Sequence, residues 1–172
     1  MPTRRRAPTP KQDEQLVVRT ASAEQTRALG RRLAGRLRPG DVLALGGTFG
    51  AGKTTLVQGI AEGLGSREWL ASPSFALANE YLPAETGVRL PLFHLDLYRL
   101  GSAEEAFGIG LDEYVARAGV LVVEWPAVGL EALPPDRVEI ELGHEGAGRR
   151  IVLRGRGARA AALVEALAAG ET

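Results

Sequence analysis

The chain contains no cysteine among its 172 residues, which excludes a disulfide framework, a thiol nucleophile and a Cys-based metal site. It has no excess of either charge. Its 21 basic and 21 acidic residues cancel, so nothing points to wholesale binding of DNA or of an anionic membrane. No apolar run approaches the roughly 18 residues of a membrane span, and no signal peptide opens the sequence, so a cytoplasmic protein is expected. Lysine is nearly absent as well. Only Lys11 and Lys53 are lysine, and the other 19 basic residues are arginine. What is abundant is apolar residues, at 45%, enough for a packed core in one domain over residues 15–170. Residues 1–14 are polar, with Arg4-Arg5-Arg6 and three prolines, and read as a disordered tail.

One of the two lysines lies in Gly47-Thr48-Phe49-Gly50-Ala51-Gly52-Lys53-Thr54, a G-x-x-x-x-G-K-[ST] P-loop. The apolar run Val42-Leu43-Ala44-Leu45 precedes it as a buried strand would. A helix is predicted from Thr54 to Leu64, with Leu56, Val57, Ile60 and Leu64 on one stripe. In that setting the glycines let backbone N–H groups point at a polyphosphate, and the positive end of the helix dipole adds to the attraction. Lys53 can reach the β- and γ-phosphates, and the Thr54 hydroxyl can ligate Mg²⁺. A chain that otherwise chooses arginine places lysine where a compact charge must fit among phosphates. A guanine-specific Asn-Lys-x-Asp loop has no lysine available here, so ATP is favoured over GTP.

Around the P-loop the pattern predicts an edge strand at residues 16–20 and a helix capped by Ser22 that runs to about Leu37, with Leu29, Leu33 and Leu37 inward. Stretches 75–82 and 89–97 read as a hairpin across a turn at 83–87. Residues 100–117 read as helical pieces broken near Gly108 and Gly110, and 119–124 as a buried strand. A second hairpin is expected at 137–142 and 150–154, with its turn at 143–148. An Ala-rich helix at 158–169 follows. The expected fold is α/β: a single P-loop NTPase-like domain with a mixed central β-sheet, flanking helices and antiparallel hairpins.

Hydrolysis needs metal ligands and a group that places water. Glu124 ends the apolar strand Val120-Leu121-Val122-Val123, the Walker-B pattern, and is expected to land near Thr54 and hold Mg²⁺ directly or through water. In His94-Leu95-Asp96-Leu97-Tyr98, alternation puts His94, Asp96 and Tyr98 on one face. Asp96 suits a second Mg²⁺ ligand or a water-orienting base, whereas His94 reads as a structural hydrogen-bonder. Ser72 and Ser74 lie in a short loop of the kind that senses a γ-phosphate.

These residues together resemble the TsaE (YjeE) family, the small bacterial ATPase of tRNA threonylcarbamoyladenosine synthesis. The resemblance covers roughly residues 21–153. It rests on Thr26-x-x-Leu29-Gly30, the P-loop through Thr55, Ser72-Pro73-Ser74-Phe75, His94-Leu95-Asp96-Leu97-Tyr98-Arg99-Leu100, Glu124-Trp125-Pro126 and Leu133-Pro134. The Asp-Leu-Tyr-Arg-Leu and Glu-Trp-Pro strings at this spacing are specific to the family. Thr48 stands where the family usually has an acid, and Ser74 where it usually has threonine.

The resemblance implies that Gly47, Gly50, Ala51, Gly52, Lys53, Thr54 and Thr55 hold the phosphates, with Lys53 also catalytic. It implies that Thr54 and Glu124, supported by Asp96, hold the magnesium. Ser72 and Ser74 form the nucleotide-responsive loop, and Trp125 marks the nucleotide-bound state or a partner surface. Ala23, Thr26 and Arg149 lie around the adenine, where Arg149 could stack on the base. It further implies partners, TsaD-like and TsaB-like proteins, with tRNA engaged indirectly through their complex. A small-molecule kinase using the same P-loop, with Arg99 and Arg117 as lid candidates, is the competing reading. A third is a module that keeps ATP as a structural ligand.

Overall fold

A computed structural model of the protein describes residues 14–73 and 77–170. The tail expected at residues 1–14 therefore lies outside the described residues except for Glu14, which opens the first strand. Ser74 also lies outside them.

The strands form one seven-stranded mixed sheet in the order β1-β7-β6-β2-β5-β4-β3. At its centre is β2 (Val42–Gly47), whose first four residues are apolar and buried. A strand covered on both faces needs such an unbroken run, and its neighbours β5 (Val120–Glu124) and β6 (Arg137–Glu145) both run parallel to it. Beyond β5, β4 (Leu92–Asp96) continues in parallel and β3 (Ala78–Tyr81) pairs antiparallel with it. On the other side β7 (Gly148–Arg156) and the edge strand β1 (Glu14–Thr20) add antiparallel pairs. The second hairpin turn is tighter than the sequence suggested. Glu145 pairs with Gly148, so only Gly146 and Ala147 connect the strands, with Gly146 at φ 58°.

Helices cover both faces of the central strands. On one face α1 (Ala23–Ala34), α2 (Lys53–Gly63) and α6 (Ala158–Ala169) bury a core that includes Leu33, Leu43, Leu45, Leu56, Ile60 and Leu163. On the other, α4 (Ala103–Gly108), α5 (Leu111–Ala116) and a 3-10 helix (Pro126–Ala132) cover Phe93, Leu95, Leu121 and Val123. The single turn α3 (Pro83–Thr86) links β3 towards β4 and ends at Gly87 with φ 83°. None of the helices among the described residues is long and apolar enough to cross a membrane.

Ser22 starts α1 as predicted. Its hydroxyl accepts the Gln25 N–H at 3.2 Å, while the Gln25 side chain accepts the Ala21 N–H at 2.7 Å. The helix stops at Ala34, three residues before Leu37. Leu37 is still buried, but it is carried inward by a tight turn in which the N–H groups of Arg36 and Leu37 bond to Leu33 and Ala34.

The position of α2 is set by its contact with α1, where glycine lets the backbones meet. A Cβ on Gly59 would lie 2.1 Å from the Arg27 carbonyl oxygen, and one on Gly30 2.4 Å from that of Leu56. Gly59→Ala is expected to destabilise the protein by roughly 1–3 kcal/mol, because the overpacking exceeds the roughly 1 kcal/mol that alanine adds to a helix. Gly35→Ala, whose new Cβ would find nothing closer than 3.6 Å, is the control. It should be neutral or stabilising by up to about 1 kcal/mol. Chemical denaturation of the two variants measures this, and an unchanged midpoint for Gly59→Ala would contradict the packing argument.

Candidate functional site

The parallel strands β2, β5 and β4 end together, and their register sets the site. Leu45 is opposite Glu124 on β5, and Glu124 is opposite Asp96 on β4. Two carboxylates are thereby delivered to the level at which the chain leaves β2 for the P-loop, as open α/β sheets place their binding crevices.

The loop reaches α2 through Gly50 at φ 72° and Gly52 at φ 102°, conformations that residues with a Cβ adopt only with strain. Gly52 caps the helix and carries no side chain to accept a hydrogen bond. The first N–H groups of α2 and the positive end of its dipole are therefore available to an anion. A cavity of about 230 Å³ opens there, lined by Gly50, Gly52, Lys53, Thr54 and Thr55 on one side. Ser72, Asp96, Glu124, Phe49 and Trp125 complete its wall.

Lys53 is 6% exposed, and its ammonium donates to the carbonyls of Gly47 at 2.7 Å and Thr48 at 2.9 Å. It also lies 4.2 Å from the centre of the Trp125 ring. Burial pushes the Lys53 pKa below the ordinary lysine value, while the charges of Glu124, Asp96 and Glu141 pull it the other way. Burial wins, which describes an ammonium short of solvation and favourably placed to gain an anion.

The Thr54 hydroxyl lies 3.4 Å from Oε1 of Glu124, itself 3% exposed. Thr54, Glu124 and Asp96 offer one hydroxyl and two carboxylates, the hard oxygen donors that suit Mg²⁺. Among the described residues no cluster of three His, Cys, Asp or Glu side chains forms a closed metal cage. The one hydroxyl and two carboxylates fit a hard cation that takes its other ligands from outside the protein.

A second cavity of about 150 Å³ adjoins the first and shares Gly50, Gly52 and Thr55 with it. Ala23, Thr26 and Arg149 line it, so the three residues expected around a base do gather in one place. The Arg149 guanidinium donates to the carbonyls of Gly50 at 3.0 Å and Ala51 at 3.1 Å, which binds the β6–β7 hairpin to the P-loop. Ala51 is fully buried, and its carbonyl is one of those two acceptors.

A larger, mostly apolar cavity of about 390 Å³ lies between Trp125–Leu130 and β6. It lacks Lys53, Thr54 and both acids, so the chemistry assigns the smaller cavity.

Alternation put Tyr98 beside His94 and Asp96, but β4 ends at Asp96. The Asp96 carboxylate accepts the Tyr98 N–H at 3.0 Å, turning the chain out of the sheet. Tyr98 instead joins a cluster of rings that the sequence reading did not foresee: Phe49 at 4.6 Å and Trp125 at 5.1 Å between centroids. Trp125 is held at φ 54°, ψ 57° by its N–H bond to the Leu45 carbonyl. Its place directly after the strand-ending acid was the available signal for that cluster. Arg117, a lid candidate, is paired through its two terminal guanidinium nitrogens with Glu80 at 2.8 Å and lies over the Phe93 ring at 4.1 Å.

Arg149→Ala should loosen the P-loop without unfolding the sheet. Hydrogen exchange is expected to quicken at residues 50–52 and stay unchanged in β5. Equal exchange in the loop would show that Arg149 does not restrain it.

The sequence matches the family described as "Threonylcarbamoyl adenosine biosynthesis protein TsaE" over residues 20–152. A "tRNA threonylcarbamoyladenosine biosynthesis protein TsaE" from Bacillus subtilis is 43% identical over 137 residues, covering 80% of this chain and 83% of that relative. Its namesake from Streptomyces coelicolor is 44% identical over 117 residues, covering 67% and 77%. The crystal structure of Bacillus subtilis YdiB superposes with a TM-score of 0.79 at 38% identity, covering 93% of this chain and 98% of that one. With the P-loop, the two strand-end acids and the sheet order already in place, these matches show that the chain belongs to the TsaE family of tRNA threonylcarbamoyladenosine biosynthesis.

Proposed function

We propose that this protein is the ATP-binding and ATP-hydrolysing subunit of the threonylcarbamoylation system. It acts on a TsaD–TsaB pair that modifies the adenosine next to the anticodon of ANN-decoding tRNAs. The observation that carries the reading is the Thr54 hydroxyl 3.4 Å from the Glu124 carboxylate, beside a buried lysine at a bare helix N-terminus.

On this reading the triphosphate lies along the P-loop, with its base in the cavity of Ala23, Thr26 and Arg149. Lys53 exchanges the carbonyls of Gly47 and Thr48 for phosphate oxygens, which relieves the solvation deficit described above. Thr54 and Glu124, with Asp96 beside them, would hold Mg²⁺, which would supply positive charge to offset that of a polyphosphate. Asp96 supports that cation or orients the attacking water. Ser72 faces the phosphates from the cavity wall, and with Ser74 forms the loop that responds to the γ-phosphate. Nucleotide state is passed to partners from there, and turnover by the isolated chain is slow because a partner completes the catalytic parts.

Lys53→Ala should weaken ATP binding by at least about 10-fold, since a charged hydrogen bond to phosphate is worth roughly 1.5–3 kcal/mol, with the fold retained. Calorimetric titration tests this, and unchanged affinity would remove the P-loop assignment. Asp96→Ala should slow hydrolysis more than it weakens binding; the opposite result would make Asp96 a structural residue.

A pull-down tests the partner half. The chain should join a TsaD–TsaB complex when ATP is present and not without it, and that complex should stimulate ADP formation. Stimulation by small metabolites, with none by the pair, would make the chain a kinase. Glu124→Gln leaving modification by the reconstituted system untouched would reduce ATP to a structural ligand.

A further inference from the structure

We propose that His94 is a positioning residue that fixes the Glu124 carboxylate for the cation, an inference that rests on the Mg²⁺–nucleotide reading above. His94 is fully buried, and its Nε2 lies 2.8 Å from Oε1 of Glu124. The sheet brings them together. Asp96 is opposite Glu124 and His94 is opposite Val122, so His94 sits two residues deeper on the neighbouring strand and on the same face as Asp96.

The other ring nitrogen, Nδ1, is buried without a hydrogen-bond partner. A hydrogen placed there would be stranded, whereas one on Nε2 is donated to the carboxylate, so the surroundings select the Nε2–H form. A histidine with one nitrogen unsatisfied is costly in a core, and an apolar side chain would avoid that cost. The contact with Glu124 offsets it.

Glu124 needs such a contact. Its side chain has three rotatable bonds and extends from the end of a strand, and only a fixed carboxylate presents a fixed ligand. Two donors converge on Oε1: Nε2 of His94 at 2.8 Å and the Thr54 hydroxyl at 3.4 Å. The second is long, and it belongs to a group that must itself hold the cation. His94 therefore supplies the shorter bond to the carboxylate, and it comes from a group that does not itself compete for the cation.

The test compares the wild type with His94→Phe, which keeps a ring and removes the donor, and His94→Gln, whose amide places a donor near the former Nε2. Binding of a non-hydrolysable ATP analogue is titrated calorimetrically across Mg²⁺ concentrations and in EDTA. His94→Phe should need at least about 10-fold more Mg²⁺ for the same gain in affinity, with affinity in EDTA within about twofold of wild type. His94→Gln should recover most of the lost Mg²⁺ response. A His94→Phe titration that superimposes on the wild type, or an equal loss with and without Mg²⁺ that His94→Gln does not rescue, would overturn the proposal.

A second measurement needs no variant. The chain has two histidines, His94 and the exposed His144, so ¹⁵N-histidine spectra of the wild type are simple to assign. His94 should be the Nε2–H tautomer, and its signals should shift when Mg²⁺ is added to the analogue-bound protein. A hydrogen on Nδ1, or no response to Mg²⁺, would defeat the assignment. A wild type that binds no nucleotide would instead defeat the ATP reading, and His94's role with it.

Discussion

The parallel register of β2, β5 and β4 is the constraint on which the site depends. It aligns Leu45, Glu124 and Asp96 in one row, so that the strand feeding the P-loop and the two strands carrying the acids finish together. A slip of one residue in β5 would turn Glu124 to the opposite face of the sheet and send a core valine towards Thr54. The register is specified from both sides. Val122 faces the core shared with α1 and α2, while Leu121 and Val123 face the core beneath α4, α5 and the 3-10 helix. Hydrophobic packing on two faces thus determines, within one residue, where a carboxylate meets a hydroxyl.

Much of this is legible in the amino-acid sequence. The P-loop string, the apolar strand ending in Glu124, the Ser22 cap and the closing alanine-rich helix are all local patterns, and local patterns survive folding. Periodicity was less informative where a side chain overrides it. Asp96 captures the Tyr98 N–H and ends β4, and the turn after Ala34 ends α1 while Leu37 still points inward. The ring cluster of Phe49, Tyr98 and Trp125 had only the place of Trp125 after Glu124 as a signal, because it joins three loops from three distant segments. The hold of Arg149 on the P-loop carbonyls lay beyond sequence reasoning, for only the folded hairpin brings residues 149 and 51 within 3.1 Å.

The division between arginine and lysine gains a physical sense in the fold. Arginine appears where planar, multidentate contacts join elements: Arg159 to Asp41, Arg117 to Glu80, Arg149 across two P-loop carbonyls. Lys53 sits where the Gly47 and Thr48 carbonyls, the carboxylates of Glu124, Asp96 and Glu141, and a ring surround one compact ammonium. A guanidinium, planar and wider, is a poor match for the two backbone oxygens that one ammonium reaches there.

The close approach of α1 and α2 through Gly30 and Gly59 has a consequence for molecular recognition. Helices touching backbone to backbone leave no compressible layer of side chains between them, so they move as one plate. Ser22 to Thr26 ride on one half of that plate and Lys53 to Thr55 on the other. The distance from the cavity of Ala23 and Thr26 to the helix N-terminus is thereby a fixed gauge, and a ligand is measured against it end to end.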